Sequence, residues 1–430
     1  MTLIDLGDMD GNTDARALPP PSRAVGRPVR VALTVLLVLV TLTASAGPVV
    51  QSRATVPAAA GAAVFLSGER LFVVQPPPTR ADDGRSELVT YPVPQRAAPG
   101  WQRPEPLWRV PLPPGSRSWR VEVVSAGVLV SVSGREQTTL LLDADTGRTR
   151  WTAPGIAITD GSDQVLLQTL ANQPTLRAVE LATGRERWAV PVPMTGVDQR
   201  FRDGVIDRVV RALPGGPVEV LDSRTGSVLH QLDPSAGQRP IHHQVQVAGD
   251  LVLMVRSRPA TLVAYEVDGL RQRWSTALPR VGRVTPCGVL LCVVGQTGGV
   301  RALDPATGAV RWYADELRAV LSVAGGPLVG IRPSDDGDRI QVLDPATGRV
   351  TADLGTWQLV PWADRDQPLL VTRGAAGGGL VLAEVIDSAG GVRIREVMHD
   401  AVGGCVTGGG AVACLLREDT GGGVGVWQLD

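Results

Sequence analysis

The sequence predicts an all-β fold: a β-propeller of four-stranded blades, eight in number, closed by amino- and carboxy-terminal strands and preceded by one transmembrane helix. Three observations predict it. A short pattern of strand, Thr-Gly turn and tryptophan-ended strand recurs along the chain. It recurs at a near-constant period. One long uncharged run stands near the amino terminus.

The pattern is clearest from Arg301 to Trp312, RALDPATGAVRW, where apolar residues alternate into Asp304 and Gly308 can take the left-handed conformation of a tight turn. Leu140 to Trp151 reads LLLDADTGRTRW and Arg177 to Trp188 reads RAVELATGRERW. Val218 to His230 reads VEVLDSRTGSVLH, with histidine in place of tryptophan. Ala264 to Trp274 reads AYEVDGLRQRW, and Gln341 to Ala352 reads QVLDPATGRVTA. The acidic residues that close the first strand, Asp143, Glu180, Asp222, Glu266, Asp304, Asp344 and Asp387, follow at intervals of 37, 42, 44, 38, 40 and 43, and the terminal Asp430 lies 43 further on. Each interval also holds an upstream hairpin, such as QVQV and LVLMV around Ala248-Gly249-Asp250, giving the four strands of one blade.

The AxDxxTGxxxW pattern resembles the repeat of the pyrroloquinoline-quinone-type β-propellers, found in quinoprotein dehydrogenases and in many non-catalytic propellers. The resemblance runs from about Ala62 to Asp430. It implies that the motif tryptophans Trp151, Trp188, Trp274 and Trp312 dock one blade against the next. The turn glycines Gly147, Gly184, Gly226, Gly308 and Gly348 and the acids Asp143, Asp222, Asp304 and Asp344 belong to the same repeat. The strands divide into eight or nine blades, and the resemblance implies eight.

From the start of the chain, residues 1–30 form a polar tail with balanced charges, read as a disordered cytoplasmic segment. Residues 31–50 are uncharged and of the length a bilayer core requires of a helix. Arginines at 16, 23, 27 and 30 before the run, against Arg53 after it, keep the amino terminus inside. A rival reading takes Ala44-Ser45-Ala46 as a signal-peptidase site. Either way the propeller lies outside the cytoplasm. Residues 51–61 read as a linker and 62–430 as the propeller. The first blade is the most degraded, with Pro76-Pro77-Pro78 and the run from Ala97 to Pro106 read as surface loops. The last unit offers only three strands, so an amino-terminal strand is expected to complete it and protect an open edge.

Of 430 residues, 42 are basic and 43 acidic, and the formal charge of -1 gives no sign of nucleic acid as a partner. Arginine supplies every basic residue, a composition of GC-rich codon usage as in many actinobacteria. The four cysteines fall two to a hairpin, Cys287 with Cys292 and Cys405 with Cys414, which in an exported chain favours two local disulfides. Four buried thiols are the bland alternative, and zinc is disfavoured because no histidine accompanies either pair.

Candidate chemistry is sparse. His242 and His243 are neighbours, so a regular strand would point them to opposite faces. His230 reads as a packing substitute and His399 beside Asp400 as a weak signal. Asp335-Asp336-Gly337-Asp338 reads as a solvated turn rather than a calcium loop, and Gly377-Gly378-Gly379 and Gly421-Gly422-Gly423 as turns. The recurring acids are placed to accept backbone N–H bonds at their turns. The resemblance implies that a quinone-dependent enzyme would carry adjacent disulfide-linked cysteines and a calcium site, and neither motif is found here. The expectation is therefore a non-enzymatic, membrane-tethered scaffold without cofactor or metal, offering its faces to a protein or cell-envelope ligand. An exported quinone-dependent dehydrogenase is the alternative. The Arg-rich stretches Gln199 to Asp203 and Arg256 to Arg258 are the loops read as candidates for an anionic partner, or as ordinary solvated surface.

Overall fold

The computed structural model describes residues 52–429, except 78–83, 95–99, 171–172, 194–195, 214–215, 235–243, 258, 323–325, 362–367, 387–390 and 418–421. The expected cytoplasmic tail and transmembrane helix lie outside the described residues, as do His242, His243, Asp387 and Asp430. Among the described residues no helix is long and apolar enough to cross a membrane.

Residues 51–430 form one compact unit. Its strands assemble into nine sheets, eight of four strands and one of five. In blade five, Gln244–Ala248, Leu251–Ser257, Ala260–Glu266 and Gln272–Ala277 meander antiparallel, each hydrogen-bonded to the next. The first strands of several neighbouring blades pack against one another, so the first strand of a blade is its inner one and the fourth its outer one.

Both faces of the middle strands are buried, which is why they read as continuous apolar runs and not as alternation. Leu251 and Leu253 point into the cluster shared with blade six, while Val252 and Met254 point into the cluster shared with blade four. Nine such clusters join nine pairs of neighbouring blades, and the last unites Ala54, Val56, Ala411, Ala413, Val424 and Val426 of blade nine with Leu71, Val73 and Val89 of blade one. The ring is thus closed by hydrophobic contact at every joint.

The closure follows the expected scheme, but the count does not. Ser52–Val56 pairs antiparallel with Gly423–Gln428, placing Arg53 opposite Trp427, and so supplies the fourth strand of the last blade. Blade one, from Ala63–Ser67 to Trp108–Pro111, has four strands of its own. The blades therefore number nine, not eight. The stretch 51–61 read as a linker contains the closing strand. The run from Ala97 to Pro106, read as loop, holds the short strand Gly100–Gln102, which adds parallel to Ser52–Val56 as a fifth strand. The amino-terminal strand is thereby clamped on both edges.

Candidate functional site on the repeat-turn face

Because successive strands reverse direction, the turn between strands one and two and the repeat turn between strands three and four lie on the same side of each blade. The repeat turn is built by its acid. Asp143 Oδ1 accepts hydrogen bonds from the N–H of Asp145 and Thr146 and from the Thr146 hydroxyl, at 2.8–3.2 Å. Asp222 does the same with Arg224 and Thr225, Asp304 with the N–H of Ala306 and Thr307, and Asp344 with Ala346 and Thr347. The Arg150 guanidinium and these turn donors hold the Asp143 carboxyl far below the usual carboxylate range. Arg311 first of all lowers the Asp304 carboxyl, and the Ala346 N–H leads in lowering Asp344.

The turn then receives the tryptophan of the preceding blade. The indole N–H of Trp108 donates to the carbonyl of Ala144, Trp151 to Leu181, Trp188 to Ser223, Trp274 to Pro305 and Trp312 to Pro345, at 2.8–3.0 Å. In each case the acceptor is the residue after the acid. The ring itself lies over the turn glycine. A Cβ would stand 2.7 Å from Trp108 at Gly147, 2.7 Å from Trp151 at Gly184, 2.6 Å from Trp188 at Gly226 and 2.5 Å from Trp312 at Gly348, and all four glycines have φ of +69°. Gly308 receives Trp274 in the same way. The repeat motif is thus a lock between blades, made of an acid, a glycine and the indole of the preceding blade. Trp108 belongs to it too, although its blade lacks the rest of the pattern.

Among the described residues this lock is seen at five of the nine joints, and the joint between blades four and five replaces it with something else. Blade four has His230 where the tryptophan would be, and blade five has Leu270 where the glycine would be. Leu270 is buried and keeps the turn's left-handed backbone, with φ of 52° and its N–H bonded to the Glu266 carbonyl. With no indole above, a side chain fits, and Leu270 fills the space. The same joint carries an ionic cluster. Arg200, 2% exposed, bonds Asp207 at 2.5 Å, Asp268 at 3.0 Å and Asp250 at 3.2 Å, tying the first hairpin of blade four to both turns of blade five. Arg202 and Arg208 complete it. The Asp207 hydrogen bond, opposed by burial and helped by Asp268, raises the Arg200 pKa further. Burial pushes the Asp207 carboxyl up, but Arg200 outweighs it and the group stays below the usual range. The stretch from Gln199 to Asp203 is therefore neutralised within the fold. Arg256 reaches the Tyr265 hydroxyl at 3.3 Å.

Elsewhere on this face, a cleft of about 190 Å³ opens between blades two and three, lined by Glu122, Ser125, Thr159, Ser162, Gln164 and Leu181. Glu122 accepts from the Thr159 hydroxyl and pairs with Arg120 at 3.0 Å. Disulfides join Cys287 to Cys292 and Cys405 to Cys414, each across the first hairpin of its blade. The first holds up a turn whose Val289 is 82% exposed. Among the described residues no group of three or more metal-ligating side chains converges. His399 is exposed, and Asp338 pairs with Arg318.

These features define a repeat β-propeller whose recurring residues join its blades. A protein-family model described as outer membrane protein assembly factor BamB matches residues 103–312 and 214–355, together more than half of the sequence. The chain belongs to this family of PQQ-like repeat propellers. It matches no curated protein. Among solved structures it is similar to BamB from Moraxella catarrhalis, at 17% identity over 65% of this chain and 83% of that one, with a TM-score of 0.43. It is similar to the computationally designed Ika8 protein, at 15% identity over 73% and 96% with a TM-score of 0.46, and to a europium-containing methanol dehydrogenase, at 14% over 65% and 72% with 0.37.

Proposed function

We propose that this chain is a non-enzymatic binding scaffold, tethered to the membrane through residues 31–50 with its propeller outside the cytoplasm, and that it presents the repeat-turn face to a protein partner of the cell envelope. The observation that carries the reading is the use of the repeat residues. Asp and Gly recur to build the repeat turn and Trp recurs to dock on the turn of the next blade, so the repeat residues are used by the fold itself. What distinguishes one blade from another is then its turns, where binding on such folds resides. The family description as an outer membrane protein assembly factor supports a protein partner.

The test uses the full chain purified in mild detergent. Cross-linking in envelope preparations is compared between the natural chain and a Val289→Asp variant, with absorbance and metal content measured on the same samples. The expected result is a discrete cross-linked protein that the variant loses, with no quinone-like chromophore. A quinone absorbance band with stoichiometric calcium, and dye-coupled dehydrogenase activity, would replace the scaffold reading with an enzymatic one.

A further inference from the structure

The chain enters the propeller on the repeat-turn face. Gly423–Gln428 sets Gln428 opposite Ala411, the residue that follows the turn between the first two strands of blade nine. Ser52–Val56 runs antiparallel to it, with Arg53 opposite Trp427, so Ser52 stands at that same end. Val50, the last residue of the uncharged run, precedes Ser52 by two residues, a span of at most about 7 Å.

That face is divided by charge. In blades two to five its repeat turns expose Asp145 and Arg148, Arg185, Arg224, and Asp268 and Arg271. Blade six, from Val281–Cys287 to Val310–Ala314, and blade seven, from Ala319–Ser322 to Val350–Thr356, differ. Both of their repeat turns read Asp-Pro-Ala-Thr-Gly, and the acids Asp304 and Asp344 accept N–H bonds from Ala306 and Ala346 within the turn. Of the residues that follow, up to Ala309 and Arg349, only Arg349 is an exposed charge. Val310 and Val350, which open the outer strands on this side, are 47% and 45% exposed. Above them stands Val289, at 82% the most exposed large hydrophobic residue among those described. Its neighbour Gly288 lies against blade seven, where a Cβ would come within 3.3 Å of Pro345, and the Cys287–Cys292 disulfide pins the base of the turn. The corresponding turns of blade eight lie outside the described residues.

We propose that this apolar sector of the repeat-turn face rests on a lipid bilayer surface, with Val289 entering the boundary between headgroups and acyl chains and Arg349 among the phosphates. The inference rests on the reading of residues 31–50 as a membrane tether. The occupant follows from the chain's own connectivity. A bilayer that holds residues 31–50 lies within a few residues of Ser52, and Ser52 opens on the face that carries the apolar turns. A patch of this size binds lipid only weakly by itself. The tether makes the contact intramolecular, so a high local concentration replaces intrinsic affinity. Two points, the entry at blade nine and the turns of blades six and seven, then set the tilt of the propeller. The charged turns of blades two to five lie on the far side of the same face, open to the protein partner proposed above.

The test reconstitutes the full chain into vesicles of phosphatidylcholine and phosphatidylglycerol, floats them on a density gradient, and reads an environment-sensitive fluorophore attached through Val289→Cys. Ala346→Cys, on the neighbouring turn, repeats the reading in case a thiol at 289 exchanges with Cys287–Cys292. Asp336→Cys, on the hairpin of blade seven that turns on the opposite face, is the control. The labels at 289 and 346 are expected to shift to the blue and to be quenched by lipid carrying a nitroxide at the headgroup boundary, while the label at 336 does neither. A chain that floats with none of its labels quenched keeps the tether and overturns the lipid contact. A blue shift without quenching assigns the turns to a protein surface and overturns it as well, as does quenching at 336 in place of 289. A chain that fails to float overturns the tether reading itself, and this proposal with it.

Discussion

At the scale of single residues, the blade lock predicts its own failure modes. Gly348→Ala would place a Cβ 2.5 Å from Trp312 at a φ of +69°, so overpacking and backbone strain act together. The expected loss is about 2 kcal/mol or more, read as a lower denaturation midpoint at unchanged slope. The exceptional joint offers the converse test. His230→Trp alone should clash with Leu270, and Leu270→Gly alone should leave a cavity, each lowering stability. The double variant recreates the standard lock and should recover about 1–2 kcal/mol relative to the sum of the singles in a double-mutant cycle. The turn acids set the acid limit. Asp143 is held below the usual carboxylate range by Arg150, Asp304 by Arg311 and Glu266 by Arg271. Their folded-state pKa lies below the unfolded one, so their contribution is present above about pH 4 and is lost as pH falls further. Asp198 runs the other way, since burial raises its pKa against hydrogen bonds from Val247 and Gln199. Thermal melts should be level down to about pH 5 and fall steeply below about 4, a profile that a flat melting temperature at pH 3 would contradict.

At the scale of the element, each disulfide spans one hairpin, with the cysteines five and nine residues apart. Loop entropy for such short closures predicts about 2–3 kcal/mol for each bridge. Reducing Cys287–Cys292 should loosen the turn bearing Val289, read as faster amide exchange from Gly288 to Leu291 with the remaining blades protected. Uniform loss of protection would contradict a local role. The strands themselves were legible in the sequence wherever the acid, glycine and tryptophan kept their spacing, as from Leu140 to Trp151. They were illegible where a different force sets the structure. Gly100–Gln102 is a strand only because Ser52–Val56 offers an edge, and the surrounding prolines hide it. Arg200 reads as surface because its three carboxylate partners, at 207, 250 and 268, are brought together only by the fold. Leu270 stands at the glycine position of blade five, which has room for a side chain because blade four carries His230 and no indole at the tryptophan position.

At the scale of the whole propeller, the strand count in the sequence leaves eight or nine blades, the resemblance points to eight, and the seam is what hides the ninth. Blade one lacks the acid and glycine of the repeat, and blade nine borrows a strand from the opposite end of the chain, so counting motif copies falls short of counting sheets. That seam makes the strongest prediction about the assembled ring. In an open array of repeats each unit touches two neighbours and the ends are weaker, whereas here every joint is internal. Ala54 and Val56 of the closing strand are 0% and 1% exposed, within the cluster that joins blade nine to blade one. Val56→Asp would bury a carboxylate there with no cation in the cluster, an effect expected to exceed about 3 kcal/mol. Because the strand also covers the edge of Gly423–Gln428 and holds Gly100–Gln102, its release unpairs two further strands at once. Limited proteolysis of this variant should therefore cut first between residues 51 and 62 and in the blade-one insertion near residue 100, before any cut in blades three to six. Exposed edges at the seam should then drive aggregation in proportion to concentration. A variant that unfolds in a single step, with cleavage spread evenly over all blades, would mean that the ring is cooperative beyond its seam and that the closing strand has no special place in it.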